Sequence, residues 1–460
     1  MKRVKVLTLM LAMILIASTV LSACAKKDNE TGKREESKKS NEADKKDSTD
    51  EGKSDASADG GSKLVIWSFT DEIKNMVENY YLKDNPDLPY EVEVIVIPNE
   101  QYQTKLDPAL QAGKAAPDLF AVEAAYAKKY VDSDYTMAIE NLGISEDSLG
   151  DILPYVNDVV RDGNNKIKGI SWQACPGALY YRRSIAQEYL GVSEPEDIQA
   201  LLKDFPTFLE TAERIKQGSN GAVKMVAGPG EVCQIFFANR EHPWIEDGKF
   251  VIDAKIDEYF ETSKVLLQND YTAEAGQWSE GWFAGIKGNN IFGYVLPTWG
   301  LHFVLKTNCE DKDAGTTTSG DWGMVQGPGA YFNGGTWLTV REGTEMANAA
   351  KEFVEYVTLN EDFLERWAKD TGDVLANQKV VNKIKDSYSE PFLAGQNHYS
   401  EFAEMAKNVD ASILTGEDLN IQTLLDEQVQ AYIRDEKTKE QAIEDLKMNV
   451  QNAYPDLIVD

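Results

Sequence analysis

The chain has 460 residues, with 77 Asp and Glu against 47 Lys and Arg, and a formal net charge of −30 at pH 7. That balance excludes a nucleic-acid partner, because such binding is driven by Lys and Arg displacing counterions from phosphates. The length also exceeds what a single hydrophobic core organises, so two lobes are expected beyond the N-terminal segment.

At the start, Lys2, Arg3 and Lys5 precede an apolar run from Val6 to Val20, followed by Leu21, Ser22, Ala23 and Cys24. Positive, apolar, then small is the order of a secretory signal, and the run is shorter than the roughly 20 residues of a membrane span. The tetrapeptide ending at Cys24 resembles the lipobox of bacterial lipoproteins. That resemblance implies removal of residues 1–23 and acylation of Cys24, which anchors the chain on the outer face of the cytoplasmic membrane. From Ala25 to Ser62 only small polar, charged, Gly and Ala residues occur. They cannot form a core, so residues 24–62 read as a lipidated Cys and a solvated tether.

Leu64 to Phe69 reads as a buried strand, and Asp71 to Tyr81 as a helix with Ile73, Met76, Val77 and Tyr80 on one face. Tyr90 to Ile97 alternates as a strand, Glu100 to Gln111 is helical and stopped by Gly113, and Asp118 to Val122 is a third strand. This order predicts a parallel α/β sheet. The turn Asp162-Gly163-Asn164-Asn165 leads to Lys166–Trp172, and Cys175-Pro176-Gly177 then opens a strand at Ala178–Tyr181, a candidate crossing between lobes. A second α/β pattern follows: helices at Phe208–Lys216, Glu231–Asn239 and Ile256–Gln268, with a strand at Val223–Val226. Gly276 to Gly335 is dense in glycine and aromatics, and beyond it helices are expected at Thr344–Tyr356, Asp362–Lys369, Leu419–Arg434 and Thr438–Asn452.

No HExxH, GxSxG, P-loop or GxGxxG pattern occurs, and His242, His302 and His398 are scattered without metal-ligand spacing. No metal or cofactor is therefore expected. Asp311-Lys312-Asp313-Ala314-Gly315 lacks the further carboxylates of a calcium loop and reads as a solvated turn. Cys175, Cys233 and Cys309 read as small buried hydrophobes, with at most one disulfide. A glycosidase needs only two carboxylates across a cleft, so a membrane-anchored glycoside-cleaving enzyme stays open in so acidic a chain.

Aromatic residues beside glycines at expected strand ends are the positive signal, since α/β sheets present ligand crevices there. Flat aromatic faces suit sugar C–H surfaces, while Asp, Glu, Asn and Gln suit hydroxyls. A polyanionic solute would instead call for clustered basic residues, and only Arg182-Arg183 offers itself.

Taken in order, Leu64-Val65-Ile66-Trp67, Ala116-Pro117-Asp118-Leu119-Phe120, Gly169 to Arg183, Gly334-Gly335-Thr336-Trp337 and Thr371-Gly372-Asp373 resemble the extracellular solute-binding proteins of carbohydrate ABC transporters, the maltose-binding-like group. The resemblance covers essentially everything after the tether. It implies a type II periplasmic-binding-protein-like fold, in which two α/β lobes, each a sheet flanked by helices, are joined by a hinge and close over a neutral carbohydrate, here an oligosaccharide. It assigns residues 63–172 plus about 322–373 to lobe 1 and 173–321 plus about 374–460 to lobe 2. It also implies a monomer without catalysis that delivers its ligand to the permease subunits of an ABC transporter. A receptor for a peptide, polyamine or polyol is the other alternative.

Carried over residue by residue, the resemblance points to Trp67 and Phe69 after the first strand, and Glu123 at the end of the third. It adds Trp172 and Gln173 in the crossover, Trp278, Trp282 and Trp299 in the second lobe, Gly334, Gly335 and Trp337 on the return, and Asp373 near the last crossing. Trp67 stands within an apolar strand, and Trp278 and Trp282 share a face if helical, so all three positions also suit a packed core. Trp322 and Trp367 are assigned to structure. The family commonly carries a Pro shortly after the Gly of the last motif, where Leu375-Ala376 stand here, and Cys175 in the crossover is also atypical.

Overall fold

The computed structural model describes residues 62–113 and 115–460. Cys24, the signal segment and the tether expected over 24–62 lie outside the described residues, except Ser62 at its end. No described helix is long and apolar enough to cross a membrane.

The first sheet grows from three apolar runs: β1 (Lys63–Ser68), β2 (Glu91–Val96) and β3 (Leu119–Glu123). β1 pairs in parallel with β2, Leu64 opposite Val92, and with β3, Ile66 opposite Leu119. Parallel neighbours need crossover helices. These are α1 (Glu72–Met76), running on through a π turn to Tyr81, and α2 (Asn99–Ala112), which Gly113 ends at φ +67 as its sequence position predicts. α3 (Ala124–Val131) leaves the end of β3 directly, with the Glu123 side chain accepting from the Ala125 N–H at 3.3 Å to cap it.

The second sheet holds β4 (Gly177–Arg182), β5 (Lys224–Val226), β6 (Ile291–Pro297) and β7 (Trp322–Val325), in the order β7-β4-β6-β5. β4 is buried along its whole length and pairs antiparallel with both β6 and β7, whereas β5 joins β6 in parallel. Around this sheet stand α4 (Phe205–Gly218), α5 (Cys233–Ala238), α6 (Ala254–Gln268) and α7 (Glu280–Lys287). β8 (Thr336–Val340) then returns to the first sheet antiparallel to β3, Thr336 opposite Glu123, giving the order β8-β3-β1-β2.

Two differences from the sequence reading stand out. The first sheet is mixed rather than wholly parallel, because β8 arrives from the far side of the molecule in the opposite direction. The return expected near 322 does not occur there: Trp322–Val325 pairs with β4 in the second sheet, and the chain rejoins the first sheet only at Thr336. An apolar strand carries no label for its partner, and the Trp322 ring is buried beside Phe392 at 6.1 Å instead.

The remaining helices are α8 (Ala347–Leu359), α9 (Glu361–Thr371), α10 (His398–Met405), α11 (Asp418–Ile433) and α12 (Lys439–Ala453). α11 and α12 close the core around α6 through Ile421, Leu425, Val429 and Leu446. Between the sheets three segments run side by side. Ala174 N–H donates to Val374 O at 2.8 Å, Ala376 N–H to Trp172 O at 2.9 Å, and Gly177 N–H to Tyr331 O at 2.7 Å. Residues 172–177, 331–333 and 374–376 are thus hydrogen-bonded crossings.

Candidate functional site

Where the strands of the first sheet end, a cavity of about 610 Å³ opens between the two sheets. One wall is built by the turn after β1. Ser68 Oγ donates to Thr70 O at 2.7 Å, and Thr70 Oγ1 donates to a Glu72 carboxylate oxygen at 3.2 Å. These bonds turn Phe69 and Glu72 into the cavity, with the Phe69 ring edge-on to Tyr102 at 5.6 Å. Glu123, Ala124 and Ala125 at the β3–α3 junction continue this wall, and Asn99 at the start of α2 completes it.

The opposite wall is aromatic. Trp299 follows β6, and its indole N–H donates to Asn333 O at 3.0 Å, which fixes the ring. Trp278 stacks on it with centroids 5.7 Å apart and planes 16° off parallel. Trp278 is nonetheless 56% exposed and holds φ +68, a conformation a bulky residue rarely adopts. Gly334 makes the close approach of this wall possible: a Cβ there would stand 2.6 Å from Trp299 Nε1. Phe303, also exposed, and Phe332 extend the aromatic surface.

At the base lies Asp373, next to the last crossing. Its Oδ2 accepts from Trp172 Nε1 at 2.9 Å, Trp367 Nε1 at 3.0 Å and Gln173 Nε2 at 3.4 Å. Burial raises the Asp373 pKa, although these three donors act against it. Burial, and then the charge of Asp373, push Glu72 up to about 8, and burial pushes Glu123 up to about 7 against the N–H groups of Ala125 and Ala124. Among the described residues the lining holds one cation, Arg240, which is paired with Asp418 at 2.8 Å. Those residues therefore offer acceptors and π faces and no unpaired positive charge.

Of the sequence-derived candidates, Phe69, Glu123, Gln173, Trp278, Trp299, Gly334, Gly335 and Asp373 line this cavity together. Trp67, Trp172, Trp282 and Trp337 do not. Trp282 is fully buried, its N–H donating to Glu231, and Trp337 donates from the core to Val156 O at 2.8 Å. Trp172 is equally buried and acts one layer back, as a donor to Asp373, beside Trp367. Trp67 packs within the first sheet, half-buried. An indole satisfies a core and a ligand equally well, so spacing alone does not separate the two.

Sequence reasoning missed Glu72, Asn99, Gln234, Phe237, Arg240, Gln277 and the segment from Asp410 to Gln422, all of which contribute to the lining. Phe303 and Phe332 were signalled only as members of the stretch dense in glycine and aromatics, and Asn333 only by the glycine pair beside it. The C-terminal segment reaches the cavity because α11 packs on α3 across the molecule, a contact no local pattern announces. Among the described residues no group of His, Cys, Asp and Glu is arranged to hold a metal ion, and Cys175, Cys233 and Cys309 are free thiols.

Residues 64–392 match the family model of the bacterial extracellular solute-binding proteins. A search of curated protein sequences returns no match. Among solved structures, a crystal structure of an extracellular solute-binding protein of family 1 superposes with TM-score 0.75 at 16% identity, covering 85% of this chain and 99% of that one. The sugar-binding protein MalE from the phytopathogen Xanthomonas citri gives 0.69 at 17% identity, covering 85% and 97%. The galacto-N-biose-/lacto-N-biose I-binding protein of the ABC transporter from Bifidobacterium longum, in complex with lacto-N-biose, gives 0.68 at 17%, covering 87% and 100%. At such identities the likeness establishes the fold, the two-lobed α/β architecture of these receptors. With the family match over most of its length, the chain belongs to the bacterial extracellular solute-binding protein family.

Proposed function

We propose that this protein is the substrate-binding lipoprotein of an ABC importer and captures a neutral carbohydrate, an oligosaccharide, between its lobes. The observation that carries this reading is the exposed Trp278 stacked on Trp299 and facing, across the cavity, acceptors at Glu72, Glu123 and Asp373. Stacked indoles match the C–H faces of a pyranose, and the carboxylates match its hydroxyls. A volume of about 610 Å³ falls in the range of roughly 300–1,000 Å³ typical of small-molecule sites. The structural relatives that bind sugars support the same class.

On this reading Phe69, Glu123, Gln173, Trp278, Trp299, Gly334, Gly335 and Asp373 contact the sugar. The crossings at 172–177, 331–333 and 374–376 are the hinge, so lobe 1 holds the sheet of β1, β2, β3 and β8. Sugar touching both walls binds the closed form more tightly than the open one, which shifts the population toward the form a permease reads. The protein is a monomer, held outside the membrane by a diacylglyceryl group on Cys24, and releases its ligand unchanged to the permease.

One observation favours a second reading. Glu72, Glu123, Asp373 and Asp410 line the cavity without an ion-pair partner among the described residues, an arrangement that also suits a cationic solute such as a polyamine. A thermal-shift screen of the folded part, starting near Lys63, against oligosaccharides, monosaccharides, peptides and polyamines separates the two. A ligand at 100 times its Kd adds about 2.7 kcal/mol of stability. Stabilisation by oligosaccharides without product formation is the expected result; stabilisation by polyamines alone, or turnover of a sugar, overturns the reading.

A further inference from the structure

The last crossing is gripped by two histidines that stand outside the cavity lining. Gly372 ends α9 at φ +78, and its carbonyl oxygen lies 3.1 Å from His302 Nε2 and 3.0 Å from His398 Nε2. A carbonyl only accepts, so both imidazoles must present Nε2–H to it. His302 Nδ1 is left to accept from Lys306 Nζ at 3.4 Å, and Lys306 also donates to Glu390 at 2.7 Å. Burial keeps both rings neutral, holding their pKa values down to about 3 and about 4. The fit is close enough to require glycine, because a Cβ on Gly372 would lie 2.4 Å from the His302 ring.

The grip continues into the next residue. Tyr399, adjacent to His398 on α10, shares its hydroxyl proton between the Ala368 carbonyl at 2.8 Å and the Asp373 carbonyl at 3.0 Å, and the Asp373 N–H donates to Thr371 Oγ1 at 3.1 Å. Two successive peptide units are thus fixed by side chains. The second of them carries the carboxylate that Trp172, Trp367 and Gln173 hold at the base of the cavity. His302 comes from the turn after β6 and His398 from α10, which packs on β4, so both holders belong to elements around the second sheet.

We propose that His302 and His398 are positioning residues for ligand binding. By fixing the Gly372 carbonyl they set where Asp373 enters the cavity and keep its carboxylate against Trp172 and Trp367. This rests on Asp373 being a ligand acceptor, but the test below needs no ligand, so its failure is distinguishable from failure of the carbohydrate reading.

The full-length chain, labelled with ¹⁵N in its tryptophan indoles, gives one N–H signal for each of nine Trp, and Trp172→Phe and Trp367→Phe assign the two that report on Asp373. Glutamine keeps a side-chain donor near the Nε2 position, whereas leucine removes it. His302→Leu and His398→Leu are expected to move the Trp172 and Trp367 protons upfield as their bonds to Asp373 lengthen. His302→Gln and His398→Gln are expected to return them to the wild-type positions, with the remaining indoles unmoved throughout. Leucine variants that lower the melting temperature yet leave both signals in place would reduce the histidines to packing and overturn the proposal, as would glutamine variants displaced as far as the leucine ones. Should His398→Leu fail to fold, His302→Leu carries the same test, because the His302 ring bonds the same Gly372 carbonyl.

Discussion

Replacing Trp278 by Asn separates binding from stability. The Trp278 side chain is 56% exposed, so little burial is lost with it. What the fold loses is the stacked pair with Trp299, worth about 0.5–1.5 kcal/mol, together with the tilted contacts to Trp282 at 5.5 Å and Phe283 at 6.1 Å. What it gains is relief at φ +68, where a bulky residue costs about 1–3 kcal/mol and Asn sits readily. The two nearly cancel, and the expected change in unfolding free energy is within about 1 kcal/mol of zero. A Trp that anchors a ligand typically costs about 2 kcal/mol or more when truncated, or roughly 30-fold in Kd. Urea denaturation and isothermal titration with the oligosaccharide selected by the thermal screen measure both quantities on one preparation. Trp282→Ala, only four residues away in sequence, should do the reverse, costing about 3–5 kcal/mol of stability because its ring is fully buried. A Trp278→Asn variant that loses about 3 kcal/mol of stability, or that binds as tightly as wild type, refutes the assignment of Trp278 to the ligand.

Gly334→Ala and Gly343→Ala share a positive φ, +75 and +73, but only the first Cβ meets anything, Trp299 Nε1 at 2.6 Å. Both should lose about 1 kcal/mol to backbone strain; only Gly334→Ala should weaken the titrated affinity, by tenfold or more, and equal affinities for the pair would contradict the role given to this wall. Glu72 titrates at about 8 in the folded chain against a usual 4.5, because burial and the Asp373 charge disfavour its ionised form. Between those values the folded chain binds more protons than the unfolded one, so its stability falls as pH rises through that window; Glu123, raised to about 7, acts with the same sign. Urea midpoints of the unliganded protein should therefore drop between about pH 5 and about pH 8, and drop less in Glu72→Gln; an unchanged slope in that variant would show that Glu72 is not held out of water.

Much of the frame was legible along the chain. The apolar runs that become β1, β2 and β3, the glycine that stops α2 and the Pro-Gly that opens β4 are local signals, and each lies within a residue or two of the element it announces. The same holds for Phe69, Gln173, Trp299, the Gly334-Gly335 pair and Asp373, which stand at strand ends or crossings and reach the cavity for that reason. Glu72 was invisible because one more carboxylate carries no information in a chain with 77 of them. The tryptophans divided unpredictably: Trp278 and Trp299 face the cavity, while Trp172, Trp282 and Trp337 serve the core.

The sequence by itself determined the pattern of strands and helices, the acidity that argues against a nucleic-acid partner, and the places where the chain turns or crosses, since backbone preference and hydrophobic period act between near neighbours. Only the tertiary structure decided that β7 joins β4, that the Asp410–Gln422 segment closes one side of the cavity, and that two histidines 96 positions apart, His302 and His398, meet on one carbonyl. Those choices depend on which surfaces pack together and which buried donors find acceptors, a condition on the whole molecule that no single stretch of chain contains.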